Sequence, residues 1–375
     1  MHLRTVGISR CFGSKCKNSL SSTHKGKWKP PPILRKETRK LLETHELSNL
    51  LSASRSEVED LLSKVRTVSW NNFGKKIHFY APTFLPYKSA YTSTPSLFPS
   101  ISITGTSCSL RCAHCNGKML ETMIPVDSPS GLVELCQRIE KDGGVGCLVS
   151  GGCRPDGSVP LEPFVDAIGE VKRRTGLTVV VHTGVLNIEM ARRLADARID
   201  AALIDIIGSN ETIREIYRLD ARVEDYENSM QAFHDSNVPF VPHVLVGLHY
   251  GQLKGELKAL QAISKHDPAA LIFIAFIPIR GTSMEVFSPP DPFDVAKVMI
   301  SARSLMPNIP HALGCARPTS EHRKETDVLA VRAGINAIAF PTDEAILTAR
   351  NLGLQTCFSS MCCSQVYSDM LKIRS

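Results

Sequence analysis

Three cysteines in one short segment are the residues of this chain whose type and spacing best suit chemistry. Cys108, Cys112 and Cys115 stand at positions i, i+4 and i+7 of CSLRCAHC. A structural zinc site usually closes with four protein ligands, and no fourth cysteine or histidine completes a standard pair within this segment. His114 is expected to point away from the metal that these cysteines would hold. A 4Fe–4S cluster held by three cysteines leaves one iron without a protein ligand, so that iron can bind a substrate or a cofactor.

Short apolar runs alternate with amphipathic helix patterns from about residue 100 onward. Continuous apolar runs are typical of parallel strands covered on both faces. Eight such units in about 250 residues predict an α/β fold with a full (β/α)8 barrel of the TIM type, and a doubly wound open sheet is the alternative. The predicted strands lie at 100–104, 146–150, 177–183, 201–207, 240–247, 271–278, 311–315 and 336–340.

The chain divides into four predicted segments. A basic leader spans residues 1–36, a helical extension and linker spans 37–99, the barrel spans 100–355, and a cysteine-rich tail at 356–375 is expected to close the barrel mouth. Within 35–66 the helical pattern offers Ser54 or Ser56 as a helix cap. The leader has the composition of a disordered tail or of an organelle transit peptide.

Charge and hydropathy exclude some classes of function. The leader holds nine of the 44 basic residues and no acidic residue, so the remainder has 35 basic and 37 acidic residues, a net charge of −2. That balance does not indicate a nucleic-acid surface. No apolar run is long enough to cross a bilayer, which argues against a membrane partner. Twelve cysteines without a secretory signal favour a reducing compartment, so we expect a cytoplasmic protein unless the leader directs organelle import.

The cysteine spacing resembles the signature of the radical S-adenosylmethionine (SAM) superfamily, in which an aromatic residue precedes the last cysteine, as His114 does here. The resemblance implies a 4Fe–4S cluster on Cys108, Cys112 and Cys115 and SAM bound at the open iron. It also implies an electron donor such as ferredoxin. One electron would cleave SAM, and the resulting 5′-deoxyadenosyl radical would remove hydrogen from an unactivated carbon.

Further candidates lie where the predicted strands end, which is where barrel enzymes carry their active sites. By the same resemblance Gly151 and Gly152 would approach the methionyl ammonium group, although a tight turn would also need glycine there. Asp205 would hold ribose hydroxyls or cap a helix. Arg222 would meet the cofactor carboxylate or start a helix in solvent. His182 is a candidate pocket residue, and His243 and His249 are candidates for either pocket or core histidines. Arg280 and Arg317 are candidate catalytic residues that would bind a carboxylate, and a structural role is the alternative for both.

From about residue 75 to 364 the chain resembles the biotin synthase group, and most closely a subunit of the two-component lipoyl synthase family. The motifs that carry this resemblance are HFYAP, SGGC, HTG, PHVLVGLHYG, LGCARP and a terminal CC. It implies a sulfurtransferase that inserts sulfur into C–H bonds of a protein-bound octanoyl chain. Its partners would be a sister radical SAM subunit and an octanoylated lipoyl-domain protein.

Other activities stay open beside this one. The enzyme alternative is a biotin synthase-like maturase, mutase or methyltransferase that has one cluster and a small-molecule substrate. A barrel that only supports a sister subunit is the third class.

A second iron–sulfur cluster is the feature that would supply sulfur. Four further cysteines at strand ends and in the tail are expected to hold it opposite the first cluster, with the substrate between, and ordinary buried thiols are the alternative for each. These four are Cys153, Cys315, Cys362 and Cys363. Cys11 and Cys16 in the leader are expected to be free thiols.

Overall fold

A computed structural model describes residues 42, 44–82, 89 and 97–372. The predicted leader at 1–36, with Cys11 and Cys16, lies outside these residues. Within them, one parallel sheet is surrounded by helices. The strands are β1 (Lys76–Tyr80), β2 (Ser100–Ser102), β3 (Ile124–Pro125), β4 (Gly146–Ser150), β5 (Thr178–His182), β6 (Ala201–Asp205), β7 (Phe240–Val246), β8 (Leu271–Ala275), β9 (His311–Leu313), β10 (Ala337–Ala339) and β11 (Gln355–Ser359).

The helices follow the strands in the alternation that the sequence predicted. The bounds are α1 (Thr44–Leu51), α2 (Arg55–Phe73), α3 (Pro129–Lys141), α4 (Val165–Arg174), α5 (Ile188–Asp196), α6 (Asn210–Thr212), α7 (Val223–Asp235), α8 (Glu256–Ile263), α9 (Pro292–Leu305), α10 (Ser320–Arg332), α11 (Asp343–Asn351) and α12 (Val366–Lys372). None of these helices combines the length and the apolar content that crossing a membrane requires.

The sheet is curled but does not close. Its order is β11-β1-β10-β9-β8-β7-β6-β5-β4-β2-β3, so β3 and β11 are edges among the described residues. The eight predicted strands are present as β2 and β4–β10. The expected full (β/α)8 barrel is therefore corrected to an eleven-stranded, parallel half-barrel, because β1, β3 and β11 extend the sheet at its two ends.

The two faces of the sheet bury different sets of residues. Helices cover the convex face, where α2 packs against α9 and α10. Ser54 starts α2 with a capping box, since its hydroxyl accepts from the Glu57 N–H and the Glu57 carboxylate accepts from the Ser54 N–H at 2.7 Å. On the concave face, small and branched side chains of successive strands form a second apolar layer, which includes Val180, Ala201, Leu203, Val241, Ile272 and Ala312.

The segment after β11 enters the concave side of the sheet. The strand β11 pairs with β1, and a short 3-10 turn at Cys363–Gln365 then leads into α12. The Tyr367 hydroxyl donates to the Asp200 carbonyl at 2.6 Å, and the Tyr80 hydroxyl donates to the Asp369 carboxylate at 2.8 Å. Asp200 directly precedes β6. From Cys363 onward the described part of the expected tail thus packs on the concave side as far as the amino end of β6, and its role in closing the barrel mouth stays a prediction.

A buried carboxyl group fixes the loop after β7. Gly247 has φ +72°, and its N–H donates to the Glu256 carboxyl at 2.9 Å. Glu256 is only 6% exposed, and its other oxygen finds no hydrogen-bond partner among the described residues. Burial raises the pKa of Glu256 from 4.5 to about 7. Because the folded state prefers the protonated form, this group stabilises the fold fully below pH 4.5, and the contribution is lost as the pH rises towards 7.

Replacing Glu256 by Gln should remove this pH dependence, because the amide keeps an acceptor for Gly247 and cannot ionise. We expect the free energy of unfolding of E256Q, relative to that of the parent chain, to rise by about 3 kcal/mol between pH 4.5 and pH 8. Urea unfolding at both pH values measures the difference. Glu189→Gln, at an exposed position in the first turn of α5, is the control and should show no such gain. If E256Q and the parent chain differed in free energy of unfolding by the same amount at both pH values, the raised pKa of Glu256 would be contradicted.

Candidate functional site

The segment between β2 and the 3-10 turn at Lys118–Thr122, residues 103–117, forms a tight loop that we name the cysteine loop. Arg111 and Asn116 have φ of 48° and 46°, a left-handed conformation that few non-glycine residues adopt. The N–H groups of Cys115 and Asn116 both donate to the Cys112 carbonyl, at 3.3 and 2.8 Å. These turns curl the chain, so that Cys112 is buried while Cys108 and Cys115 are half-buried.

Neighbouring strand ends hold the cysteine loop in place. The Ser109 N–H donates to the Cys153 carbonyl at 2.9 Å, after β4. The Ala113 N–H donates to the Ile216 carbonyl at 2.7 Å, in the π-helical turn that continues α6, and the Ala113 carbonyl accepts from the Ser283 hydroxyl at 3.3 Å, after β8. The loop is therefore held by hydrogen bonds to segments that follow three strands, β4, β6 and β8.

Two thiols and one imidazole meet inside the loop. The Sγ atoms of Cys112 and Cys115 and one ring nitrogen of His114 lie within 4.8 Å of one another. His114 is thus close to both thiols, and the expectation that it points away from their metal stays a prediction. A hydrogen bond from Cys112, and then His114, lower the pKa of the Cys115 thiol, whereas the pKa of Cys112 is raised. A thiolate beside further thiols is a soft donor set, which fits an iron–sulfur cluster.

Gly152 is required by the closeness of the cysteine loop. A Cβ at this position would lie 2.0 Å from the Ser107 carbonyl oxygen and 2.7 Å from the Cys108 Cα. At Gly151 the nearest atom to such a Cβ is 3.0 Å away, on Thr104. The Gly152 N–H donates to the Thr104 hydroxyl at 2.7 Å. The glycine segment therefore packs directly against the residues that carry the first cysteine.

Thr104 is a site residue that the sequence analysis missed. Its hydroxyl accepts from Gly152 and donates to the Ser107 carbonyl at 3.0 Å, so one side chain ties the glycine segment to the cysteine loop. The available signal was a hydroxyl residue placed between a strand and the first cysteine in TGTSC. That signal is weak, because threonine is common at strand ends.

A polar cluster, which we name the His–Asp–His cluster, lies at the ends of three neighbouring strands. It consists of His182, Asp205 and His243, whose ligand atoms lie within 4.8 Å of one another. Burial acts to raise the pKa of Asp205, but His182 and then His243 lower it to about 2. Burial lowers the pKa of His243 to about 4. An Asp205 carboxylate beside a neutral His243 imidazole is the expected state at neutral pH.

Cys153 lies beside the first cysteine and is half-buried. Burial, and then the charges of Cys108 and Asp205, raise its pKa to about 12. The other cysteines predicted for a second cluster lie elsewhere: Cys315 and Cys362 pack against the apolar layer of the concave face, and Cys363 belongs to it. The predicted set of four thus divides into one cysteine near the cysteine loop and three in the interior.

Arg317 has a structural environment. Its side chain is fully buried and forms a two-point ion pair with Asp327, with distances of 2.7 and 3.0 Å. The remaining bonds run to the carbonyls of Gly314 and Phe340. These bonds engage the guanidinium on several sides and favour the structural alternative for Arg317, and its catalytic role stays a prediction. Asp327 was not singled out because it follows Arg317 by ten residues on a separate element.

The other predicted arginines lie at the surface. Arg280 is exposed in the turn after β8. Arg222 is exposed at the residue that precedes α7, and its backbone N–H donates to the Asp225 carboxylate at 2.8 Å. Neither arginine is drawn into the cluster of residues around the cysteine loop.

The fold and the sequence have known counterparts. The crystal structure of methylornithine synthase superposes with a TM-score of 0.61 at 15% identity, covering 90% of this chain and 98% of that one. The X-ray structure of the FeFe-hydrogenase maturase HydG from Carboxydothermus hydrogenoformans gives 0.60 at 15% identity, covering 89% and 80%. At such identities these likenesses define the fold alone, a parallel α/β half-barrel.

Sequence comparison finds a superfamily match and distant relatives. Residues 102–254 match the model of the Radical SAM superfamily. A biotin synthase from Methylococcus capsulatus is 26% identical over 257 residues, which cover 67% of this chain and 77% of that enzyme. Another from Prochlorococcus marinus is 26% identical over 198 residues, so the match spans just over half of each protein, 51% and 56%.

Residues 102–254 thus match the radical SAM superfamily, and the chain is similar to biotin synthases. The superfamily uses a 4Fe–4S cluster and SAM, and its enzymes need an electron donor.

Replacing Gly152 by Ala should disturb the cysteine loop, because the new methyl group would overlap the Ser107 carbonyl. We expect iron bound per chain after anaerobic reconstitution to fall several-fold. Gly176→Ala is the matched control, since a Cβ there would meet only Glu140 at 3.5 Å. Equal iron content in the two variants would contradict the packing argument.

Replacing Asp327 by Asn should strip the buried charge of Arg317 of its counter-ion. We expect a loss of about 3–5 kcal/mol in the free energy of unfolding, measured with urea. Glu170→Gln, which breaks the exposed pair with Arg174, should cost less than about 0.5 kcal/mol. If D327N were as stable as the parent chain, the structural role of Arg317 would be wrong.

Proposed function

We propose that this chain is a radical SAM enzyme with a single 4Fe–4S cluster on Cys108, Cys112 and Cys115, and that it acts on a small-molecule substrate in the concave half-barrel. The observation that carries the proposal is the meeting of two features at the same ends of the strands. One is a pre-curled loop of three cysteines, and the other is the His–Asp–His cluster on β5, β6 and β7.

The chemistry and the positioning are divided between the cofactors and the chain. The cluster and SAM, when bound, supply one-electron cleavage of a carbon–sulfur bond, which starts a radical reaction on an unactivated carbon. The chain orients the reactants and keeps water away from them. In this proposal the Gly151–Gly152 backbone borders the methionyl end of SAM, and Asp205 with His182 lies at the polar level of the concave pocket, which polar groups of SAM or of the substrate approach. Arg280 and Arg222 remain candidates for exposed carboxylate contacts.

Sulfur insertion into a protein-bound octanoyl chain is the second candidate function. The observation that favours it is the group of Cys315, Cys362 and Cys363 on the concave side, where hydrogen bonds from Cys363 and Ser364 lower the pKa of Cys362 to about 7. These thiols would hold a second iron–sulfur cluster as the sulfur source. Its partners would be a sister radical SAM subunit and an octanoylated lipoyl-domain protein, in addition to an electron donor such as ferredoxin.

Anaerobic reconstitution followed by iron and sulfide analysis separates the two functions. The single-cluster proposal predicts about four irons per chain, and the sulfur-insertion candidate predicts a larger number that falls to about four in Cys362→Ala. Each of C108A, C112A and C115A should lose the cluster and stop reductive cleavage of SAM to 5′-deoxyadenosine by dithionite.

Cys136→Ala is the control, because Cys136 lies buried against Cys147, 3.9 Å between sulfurs, and away from the cysteine loop. Full SAM cleavage by C112A would sink the first proposal. Incubation with an octanoylated peptide, and a search for sulfur in the product by mass spectrometry, tests the second.

A further inference from the structure

The His–Asp–His cluster is built by the register of the sheet. Asp205 on β6 lies directly beside His243 on β7, and His182 ends β5 beside Leu203, two residues before Asp205. Side chains alternate along a strand, so these three share a face with Val180, Leu203 and Val241 of the concave apolar layer. They form the polar level immediately above that layer, towards the carboxyl ends of the strands.

The one distance between His182 and Asp205 is compatible with two ligands of one metal, and the three donor atoms lie within 4.8 Å of one another. The His182 Nε2 atom lies 3.5 Å from the Asp205 Oδ1 atom, which is longer than an ordinary hydrogen bond. Two ligands of one tetrahedral metal, each at about 2.0–2.1 Å, lie about 3.4 Å apart. The rings of His182 and His243 have their centroids 5.9 Å apart with a 46° tilt, so they do not stack.

One ring nitrogen of His243 lacks a partner, and the other two side chains of the cluster are partly exposed. The Nδ1 atom of His243 is buried and has no hydrogen-bond partner among the described residues. The side chains of His182 and Asp205 are each 27% exposed, so the cluster is accessible from one side. Two imidazoles and one carboxylate are the protein ligands of several zinc enzymes and of non-haem iron(II) sites, where further coordination positions stay open.

We propose that His182, Asp205 and His243 bind one divalent transition-metal ion, of the Zn²⁺ or Fe²⁺ class, separately from the cysteine loop. The open coordination positions point to the accessible side of the cluster, into the concave half-barrel. A bound ion would offer a Lewis-acid contact to an oxygen or nitrogen atom of a molecule held there.

A second group of potential metal ligands is less suited to bind a metal ion than the His–Asp–His cluster. It consists of Glu211, Glu215 and His249. The Glu211 carboxylate already pairs with Lys254 at 2.5 Å, and the His249 ring nitrogens lie 3.2 Å from the Thr212 hydroxyl and 3.3 Å from Lys254. An ammonium group therefore occupies the position that a metal would take, which makes His249 a matched control.

Cobalt(II) binding to the full-length chain that carries Cys108→Ala, Cys112→Ala and Cys115→Ala tests the proposal without activity. These substitutions prevent the cysteine loop from holding metal. We expect one Co²⁺ per chain, with visible d–d bands and no thiolate-to-cobalt charge-transfer band in the near ultraviolet. In the same background, H182Q, D205N and H243Q should each weaken binding by about 100-fold or more, and H249Q should leave it unchanged.

Folding is checked by circular dichroism, and three separate ligand variants keep the test decisive if one of them unfolds. Absence of stoichiometric Co²⁺ binding in the folded background would overturn the proposal. Binding that carries the thiolate band and is unchanged by D205N and H182Q would overturn it as well, because the metal would then sit on the remaining cysteines. Since the cluster cysteines are absent from the measurement, its outcome is independent of the proposed SAM chemistry.

Discussion

Parallel pairing of the strands is the constraint on which the site depends. Every pair in the sheet is parallel, so the carboxyl ends of all the strands lie along one edge. Cys108, Gly152 and Asp205 are far apart in the chain, but each follows or ends a strand. The strand order alone therefore brings them to the same region. The cysteine loop then needs only a few backbone hydrogen bonds to be fixed, because its anchors are the neighbouring strand ends.

Charge in this region is organised around one anion. Asp205 lies among imidazoles, and its charge also acts on the Cys153 thiol and on the hydroxyls of Tyr217 and Tyr226. Burial alone would favour the neutral acid, and the histidines reverse that preference. A fixed negative charge in a half-buried interior attracts cations and hydrogen-bond donors, and it raises the pKa of the nearby Cys153 thiol. The region therefore holds two groups of donor atoms, thiols in the cysteine loop and imidazoles around Asp205.

The sequence predicted those parts of the fold whose signal is local. Continuous apolar runs marked β2 and β4–β10, and Ser54 marked the start of α2. The strands β1, β3 and β11 were missed because β3 has two residues and QTCFS in β11 mixes polar and half-buried positions. Closure could not be predicted either, because it depends on which strands meet at the edges. Arg317 shows the same limit at the site: a cation near a strand end predicts ligand binding, and only the tertiary position of Asp327 reveals that its charge is already satisfied.

The position of β1 has a consequence for the order of assembly. This strand precedes the other strands in the chain, yet it is held between β10 and β11, and the Tyr80 hydroxyl bonds to Asp369, 289 residues further on. Contacts of such high contact order form late, since the intervening chain must first be brought together. During that interval both edges of β1 are unpaired, which is the kind of exposed edge that chaperones protect from aggregation. The half-barrel is thus completed by its most distant residues, after the cysteine loop and its neighbouring strands already have their partners.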